Sequence, residues 1–447
     1  MPARRELIDH ALKGVEAWEA RWGAVPGAPA LTPEVDVVAL LEDYSARMAA
    51  TLPFFHPRYA GQMIKPPHPV AVAAYLAAMV VNPNNHALDA SQATSPMEVE
   101  VMRLLAGMFG MPEQTLGHLT SSGTIANLEA LWVARELAPG TAVVHSEAAH
   151  YTHGRMCQVL GVESRAVRAL PDGRINLDAV AAEVARGGVG TVVLTPGTTG
   201  LGAIDDIRAA LELSERHGVR LHVDAAYGGF FTLLGEHDAY AAIAQCDSVV
   251  VDPHKHGLPP YGCGAVLFAD PGVGRLYKHD SPYTYFTSDE LHLGEISLEC
   301  SRAGAAAGAL WLTLQAFPLE RDRGLGAILR ACRRAALALA DRLRASHSLQ
   351  LHVEPALDIV AYWPRRARMS EIDAASDAML HAGMADPDDP LFLSTLRVDA
   401  DAFAALHPDV ERDADAVRIL RSVLMKPEHE AWVESLHSRL ESLAGRV

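Results

Sequence analysis

Asp247-Ser248-Val249-Val250-Val251-Asp252-Pro253-His254-Lys255-His256-Gly257 sets a lysine in a turn straight after an apolar strand, between two histidines. A lysine on an amphipathic face would snorkel its ammonium into water. One in a turn behind a buried strand is partly desolvated, which is expected to lower its pKa and free an amine nucleophile. His222-Val223-Asp224-Ala225-Ala226-Tyr227-Gly228-Gly229 ends a strand on a carboxylate, which can neutralise a cationic ring nitrogen or cap a helix. Thr120-Ser121-Ser122-Gly123-Thr124 opens a helix with hydroxyls and a glycine. Backbone N–H groups at such a terminus suit a phosphate, although an ordinary N-cap reads the same way. His145-Ser146-Glu147-Ala148-Ala149-His150 brings an imidazole to the end of a further apolar run, where it can stack on a planar ring. His150 and His153 form an HxxH that is not a convincing zinc pattern, so no metal is expected.

These runs need a scaffold. Helical patterns at 97–109, 124–137, 176–185 and 206–216 alternate with apolar runs at 141–145, 190–195, 219–223, 247–251 and 263–268. Many of the runs are rich in Val and Leu without polar alternation, as parallel strands buried on both faces are. The alternation predicts a doubly wound α/β domain, in which ligands bind at the carboxyl ends of the strands. Upstream, 5–22 is an amphipathic helix, and a second helix starts at 35–50 after Pro26, Pro29 and Pro33. Residues 270–300, polar and aromatic with Tyr277, Tyr283, Tyr285 and Phe286, read as a long functional loop. Helices at 303–317 and 324–345 follow. The tail mixes strands (349–363, 391–398, 416–425) with helices (400–406, 428–443) in an α+β arrangement.

The 447 residues are 49% hydrophobic and 21% charged, globular proportions that exclude whole-chain disorder, collagen or coiled coil. Lys and Arg number 38 against 55 Asp and Glu, a net charge of −17 that repels phosphate backbones, so no nucleic acid partner is expected. Apolar stretches at 70–81 and 303–317 fall short of the ~18–20 residues a bilayer span needs, and the N-terminus has no secretory apolar core; no membrane partner is expected. The five cysteines are widely spaced and form no CxxC, which fits a reducing, cytoplasmic setting. There is no GxxxxGK[ST] motif, and the Gly-rich stretch 187–190 precedes a strand instead of following one, so neither a nucleoside triphosphatase loop nor a Rossmann fingerprint is supported.

The order of the four runs carries more than any one of them. A phosphate turn, a histidine, an aspartate and a lysine, each after a strand of one α/β domain, form the set that pyridoxal 5'-phosphate requires. The sequence resembles the group II pyridoxal-phosphate-dependent amino acid decarboxylases, a family that includes aromatic-L-amino-acid, tyrosine and glutamate decarboxylases. Asp247 to Lys255 matches the family's D-S-x-x-x-[ND]-P-H-K, and His222 to Ala226 matches its H-V-D-A-A. The likeness is strong over about 50–320 and weak beyond. It implies an α/β fold of the fold type I PLP-dependent transferases. The expected parts are an N-terminal helical arm (1–60), a large, mainly parallel PLP-binding domain (61–318) and a small α+β C-terminal domain (319–447).

The resemblance also implies roles. Lys255 would be the Schiff-base lysine, Asp224 the partner of the pyridine nitrogen and His150 the ring stacked on the cofactor. Gly123 and Thr124 would form the phosphate turn, and Thr199 and Asp205 would stand beside the cofactor in the stretch that starts Thr195-Pro196-Gly197-Thr198-Thr199. Ala226 and His254, inside the two matched motifs, would also contact the cofactor. Tyr59, in Pro57-Arg58-Tyr59, and Arg421, in Leu420-Arg421-Ser422-Val423, would lie near the substrate. Tyr283 and Tyr285 would be the candidates for returning a proton after loss of CO2, since a tyrosine is protonated at pH 7. Asp252 stands where aromatic decarboxylases often have asparagine. Ionised, it would repel a phosphate, so only its backbone or a rotated side chain is expected there.

The implied reaction is decarboxylation of an L-amino acid to its amine, in a homodimer with shared active sites. Other PLP chemistry on the same fold (a carbon–carbon lyase, an aldehyde synthase, an aminotransferase) and a cofactor-free binding module are the alternatives. Arg421 and nearby histidines point to an acidic substrate, while Phe54, Phe55, Tyr59 and His86 point to an aromatic one, so the substrate stays open.

Overall fold

The computed structural model describes residues 2–24, 27, 33–278 and 297–447. A seven-stranded sheet is built from β1 (Leu116–Thr120), β2 (Ala142–Ser146), β3 (Ser164–Val167), β4 (Val189–Leu194), β5 (Arg220–Asp224), β6 (Ser248–Val251) and β7 (Gly264–Phe268). Their order is β1-β7-β6-β5-β4-β2-β3. From β6 to β3 every pairing is parallel. β7 runs antiparallel to both of its neighbours, so β1 points the same way as β6. The carboxyl ends of β1, β2, β4, β5 and β6 therefore share one edge.

Unbroken apolar runs make these central strands. Every residue of β2, β6 and β7 is buried, because helices cover both faces. Val249, Val250 and Val251 are each 0% exposed, a gross contribution of roughly 5–9 kcal/mol at the usual value for a buried valine. The sequence reading misses β1 and β3. β1 is interrupted by Gly117 and by His118, which is paired inside the core with Glu129 at 2.8 Å. β3 is an edge strand with exposed positions, so it needs no apolar run.

A second sheet, entirely antiparallel, joins β8 (Leu349–Leu351), β9 (Ile359–Pro364), β10 (Ser394–Asp399) and β11 (Ala416–Val423) in the order β10-β11-β9-β8. The helices Gly324–Ala345 and Met369–Ala385 pack on it, and His429–Ala444 packs against both of them. The second of these has no counterpart among the expected elements; it is rich in alanine and polar residues, and its apolar stripe is weak. Residues 58–61 are laced into the same sheet: Ala60 N donates to Phe392 O at 2.9 Å, and Val423 N donates to Ala60 O at 2.8 Å. The chain thus touches its C-terminal sheet just where an arm was expected to end.

The apolar stretches at 70–81 and 303–317 are the helices Pro69–Val81 and Gly304–Ala316, which pack on each other. Among the described residues no helix is long and apolar enough to cross a membrane. The N-terminal helix Arg4–Glu19 lies against Pro69–Val81. Tyr277, expected in a long functional loop, instead ends the short helix Gly274–Tyr277 and is buried, with its ring 4.8 Å from that of Trp132. Tyr283, Tyr285 and Phe286 lie outside the described residues.

Candidate active site

The shared carboxyl edge collects the four runs around a cavity of about 310 Å3. After β1 comes the Gly123–Leu137 helix, capped by Ser122, whose hydroxyl accepts from Ile125 N. After β2 comes His150, after β4 the turn 195–199, at the tip of β5 Asp224, and after β6 Asp252 to Lys255. Gly123, Thr124, His150, Thr199, Asp224, Ala226, His254 and Lys255 all line the cavity. Two glycines make the approach possible. A Cβ on Gly123 would sit 2.6 Å from Asp252 Oδ2, and one on Gly197 would meet the Gly228 backbone at 2.9 Å, at a φ of +119° that only glycine adopts readily.

Lys255 Nζ lies 3.0 Å from Asp252 Oδ2, with 21% of its side chain exposed. Burial pushes the lysine pKa down, as expected from the sequence. The nearby carboxylates of Asp252 and Asp224 outweigh that effect and hold it above its ordinary value. The expected fall in pKa is therefore corrected: before any reaction Lys255 is an ammonium, kept so by an acid one helical turn away. Asp252 Oδ1 and His254 Nδ1 are both buried without a hydrogen-bond partner among the described residues. The Asp252 carboxylate does stand at the helix terminus, so the repulsion foreseen for a phosphate applies unless it turns away.

These geometries give a measurable expectation. Asp252→Asn removes the strongest of the effects that raise the Lys255 pKa, so more free amine exists at any given pH. The pH midpoint for uptake of pyridoxal phosphate by the apoenzyme, followed by stopped-flow absorbance, should move to lower pH. An unmoved or higher midpoint would show that Asp252 does not set the charge of Lys255.

Asp224 is 4% exposed. Its Oδ1 accepts from Ala226 N at 3.2 Å, and its Oδ2 accepts from His153 Nε2 at 2.9 Å. Burial alone would raise its pKa, but the bond from His153 and the positive charge of Lys255 overcome burial and hold it well below the usual carboxylate range. It is an anion at the cavity wall. His150 receives Thr152 N on Nδ1 at 3.3 Å, with Thr152 Oγ1 2.7 Å from the same atom. Burial lowers its pKa, so its ring is neutral.

Three expected site residues do not line this cavity. Asp205 is fully buried, and its oxygens accept from Ile175 N at 2.6 Å and Thr195 N at 2.7 Å. Burial lifts its pKa to about 7. Its carboxylate ties the end of β4 to the turn at 175; backbone donors claim both oxygens, which is why it is not at the cofactor cavity. Tyr59 is buried, its ring 4.8 Å from Phe54 and its hydroxyl accepting from Gln62 N at 3.4 Å. Arg421 lines an adjoining cavity of about 750 Å3 together with His150 and Thr199. Its guanidinium donates to Ser394 Oγ at 3.0 Å, to Gln62 Oε1 at 3.2 Å and to the Thr199 carbonyl, and it pairs with no carboxylate among the described residues. Phe54, Phe55 and His86 line neither cavity, and Phe55 is 68% exposed. Sequence reasoning missed Tyr151, Tyr261 and Asn127 in the lining and His153 behind Asp224. Only His153 left a signal, the three-residue spacing from His150.

The pyridoxal-dependent decarboxylase conserved domain matches residues 29–365. The chain belongs to this family. A probable L-aspartate decarboxylase of Pyrococcus furiosus is 27% identical over 352 residues, covering 77% of this chain and 91% of that protein. The L-tyrosine decarboxylase of Enterococcus faecium is 28% identical over 417 residues, covering 70% and 68%. The crystal structure of mouse CSAD superposes with a TM-score of 0.81 over 100% of both chains at 21% identity, a likeness of fold. The pyridoxal-dependent decarboxylases use pyridoxal 5'-phosphate, and the cavity suits it. It opens beside a helix N-terminus, contains one amine and carries an anion on its wall. Its volume is that of a small-molecule cleft.

Proposed function

We propose that the chain decarboxylates an L-amino acid to the amine and CO2, with Lys255 holding the cofactor covalently and Asp224 facing its ring nitrogen. The observation that carries this reading is the ionised Asp224 across one cavity from Lys255, with the Gly123 helix terminus between the strand ends. When bound, the cofactor supplies an electron sink for the charge that loss of CO2 leaves behind. Asp224 keeps the ring nitrogen protonated, the arrangement in which that sink is strongest. Gly123, Thr124 and His254 would hold the phosphate, and Ala226 and Thr199, in the same lining, would contact the cofactor. The neutral His150 imidazole, on the cavity wall, would stack on the ring and add no charge to it. Tyr283 or Tyr285 would be the proton donor after loss of CO2.

Arg421 is a buried guanidinium without a carboxylate partner among the described residues, which supports capture of a substrate carboxylate. The residues that favoured an aromatic pocket stay out of the lining, and hydroxyls and amides from Ser121, Thr152 and Asn127 are in it. This favours a small polar or acidic substrate, with aspartate first. Purified holoenzyme should release CO2 and the matching amine from such substrates in a panel of twenty amino acids. Amine from aromatic substrates alone would overturn the substrate class. Keto acid or aldehyde without amine would overturn decarboxylation to an amine.

The reading includes a homodimer with shared sites, a division at 1–60, 61–318 and 319–447, and a cytoplasmic location. Five free thiols, four of them buried, support the last. The dimer is supported by the Val37–Met48 helix, in which no residue is buried although Val38, Leu40, Leu41 and Tyr44 are each at least 56% exposed. Such an apolar face is costly in water and is normally covered. Leu40→Glu with Leu41→Glu should shift the sedimentation mass from dimer to monomer and lower turnover at least tenfold. A dimer that persists would place the interface elsewhere.

A further inference from the structure

Among the described residues His153 is the one imidazole bonded to Asp224, and it is 0% exposed. An ionised carboxylate only accepts, so the hydrogen in that bond sits on His153 Nε2. The other ring nitrogen, Nδ1, is buried with no hydrogen-bond partner among the described residues. A protonated ring would leave a buried N–H and part of a positive charge unsatisfied there. A neutral ring leaves only an unused acceptor, which costs far less. The geometry therefore selects the neutral Nε2–H tautomer.

The neighbouring groups are already committed. His145 and His222 have their ring centres 5.9 and 6.3 Å from that of His153. His145 bonds the Ser146 carbonyl and Ser164 Oγ, and His222 bonds Asn127 Oδ1 and Ser248 Oγ. Neither competes for Asp224. The helix Thr152–Leu160 starts at the cavity, so the turn leading into it sets His150 on the cavity wall and its own first turn sets His153 behind the aspartate.

We propose that His153 is a positioning residue for the reaction: its neutral Nε2–H locks the Asp224 carboxylate in place and keeps it ionised, so that the cofactor's ring nitrogen stays protonated. The proposal rests on the reading of Asp224 as the ring-nitrogen partner. Lys255 and Asp252, the other charged groups near Asp224, hold each other in an ion pair and leave this bond to His153.

The test uses His153→Leu, His153→Gln and Asp224→Asn in the full-length holoenzyme, loaded with pyridoxal phosphate carrying nitrogen-15 in the ring. The wild-type ring nitrogen should show the shift of a protonated pyridine. His153→Leu should move it toward the unprotonated value and lower kcat about 10- to 100-fold, the scale of a lost hydrogen bond to a charged group, with KM changed less than threefold. His153→Gln, whose amide N–H can replace the donor, should restore the protonated shift and most of kcat. Nitrogen-15 histidine spectra of the unmutated apoenzyme should show His153 as a neutral Nε2–H ring, a reading that holds even if His153→Leu fails to fold. A His153→Leu enzyme with an unmoved ring shift, or a His153 resonance from an imidazolium or an Nδ1–H ring, overturns the proposal. A ring nitrogen that stays protonated in Asp224→Asn overturns the reading of Asp224 instead, so the two failures are distinguishable.

Discussion

Lys255→Ala is expected to lower turnover by about 10⁴-fold or more, the scale on which single members of a catalytic unit act. No other lysine amine lines the cavity among the described residues. Two other lysines that turn inward are engaged elsewhere: the half-buried Lys65 Nζ donates to Met425 O at 3.4 Å, and the buried Lys426 Nζ donates to Tyr59 O at 2.6 Å. The variant therefore has no substitute nucleophile at the site. Borohydride treatment followed by mass spectrometry should fix the cofactor to Lys255 in the wild type and to nothing in the variant. The fold should survive, because the side chain contributes to a cavity wall and not to the core. Removing the ammonium leaves Asp252 buried without its ion-pair partner. Turnover within tenfold of wild type, or an adduct on another lysine, would remove Lys255 from its role.

Asp224→Asn is expected to cut kcat by about 10²–10⁴-fold while leaving the secondary structure intact. Removing one partner of a buried charge pair costs about 3–5 kcal/mol, and each 1.36 kcal/mol is a factor of ten in rate. The asparagine is nearly isosteric, and its amide oxygen can still accept from His153, so the loss reads the missing charge and not a cavity. Because the folded pKa of Asp224 is depressed, its charge is fully present at neutral pH and is lost only as pH falls below the ordinary carboxylate range of about 4. The kcat of the wild type should accordingly show no step from this group between pH 5 and 8. A variant that keeps near-wild-type turnover would sink the assignment.

Much of the site was legible because its parts are local in sequence. An apolar run buried on both faces must end at a sheet edge, and the residue after it must face that edge. Lys255 after β6, Asp224 at the tip of β5 and His150 after β2 follow from that rule without knowledge of the pairing order; Gly123 is legible only from the hydroxyls and glycine that open its helix, since β1, broken by Gly117 and His118, shows no apolar run. The helices 124–137 and 324–345 could be read the same way, from periodicity alone. β3 could not, because an edge strand needs no apolar run, and neither could Met369–Ala385, whose apolar stripe is too weak to see.

The sequence by itself determined the class of chemistry: an amine, an acid, an imidazole and a phosphate turn on one α/β edge. The tertiary structure alone decided the charge state of that amine, since burial and two carboxylates act on it in opposite directions and only distance ranks them. It also decided which polar residues serve the site. Asp205 looked like a cofactor contact but is consumed by two backbone N–H groups. His153 looked idle but bonds Asp224 across 71 residues of chain. Arg421 reaches the Thr199 carbonyl across 222. A hydrogen bond acts over about 3 Å, and no spacing along a chain reveals which distant residues folding will bring that close.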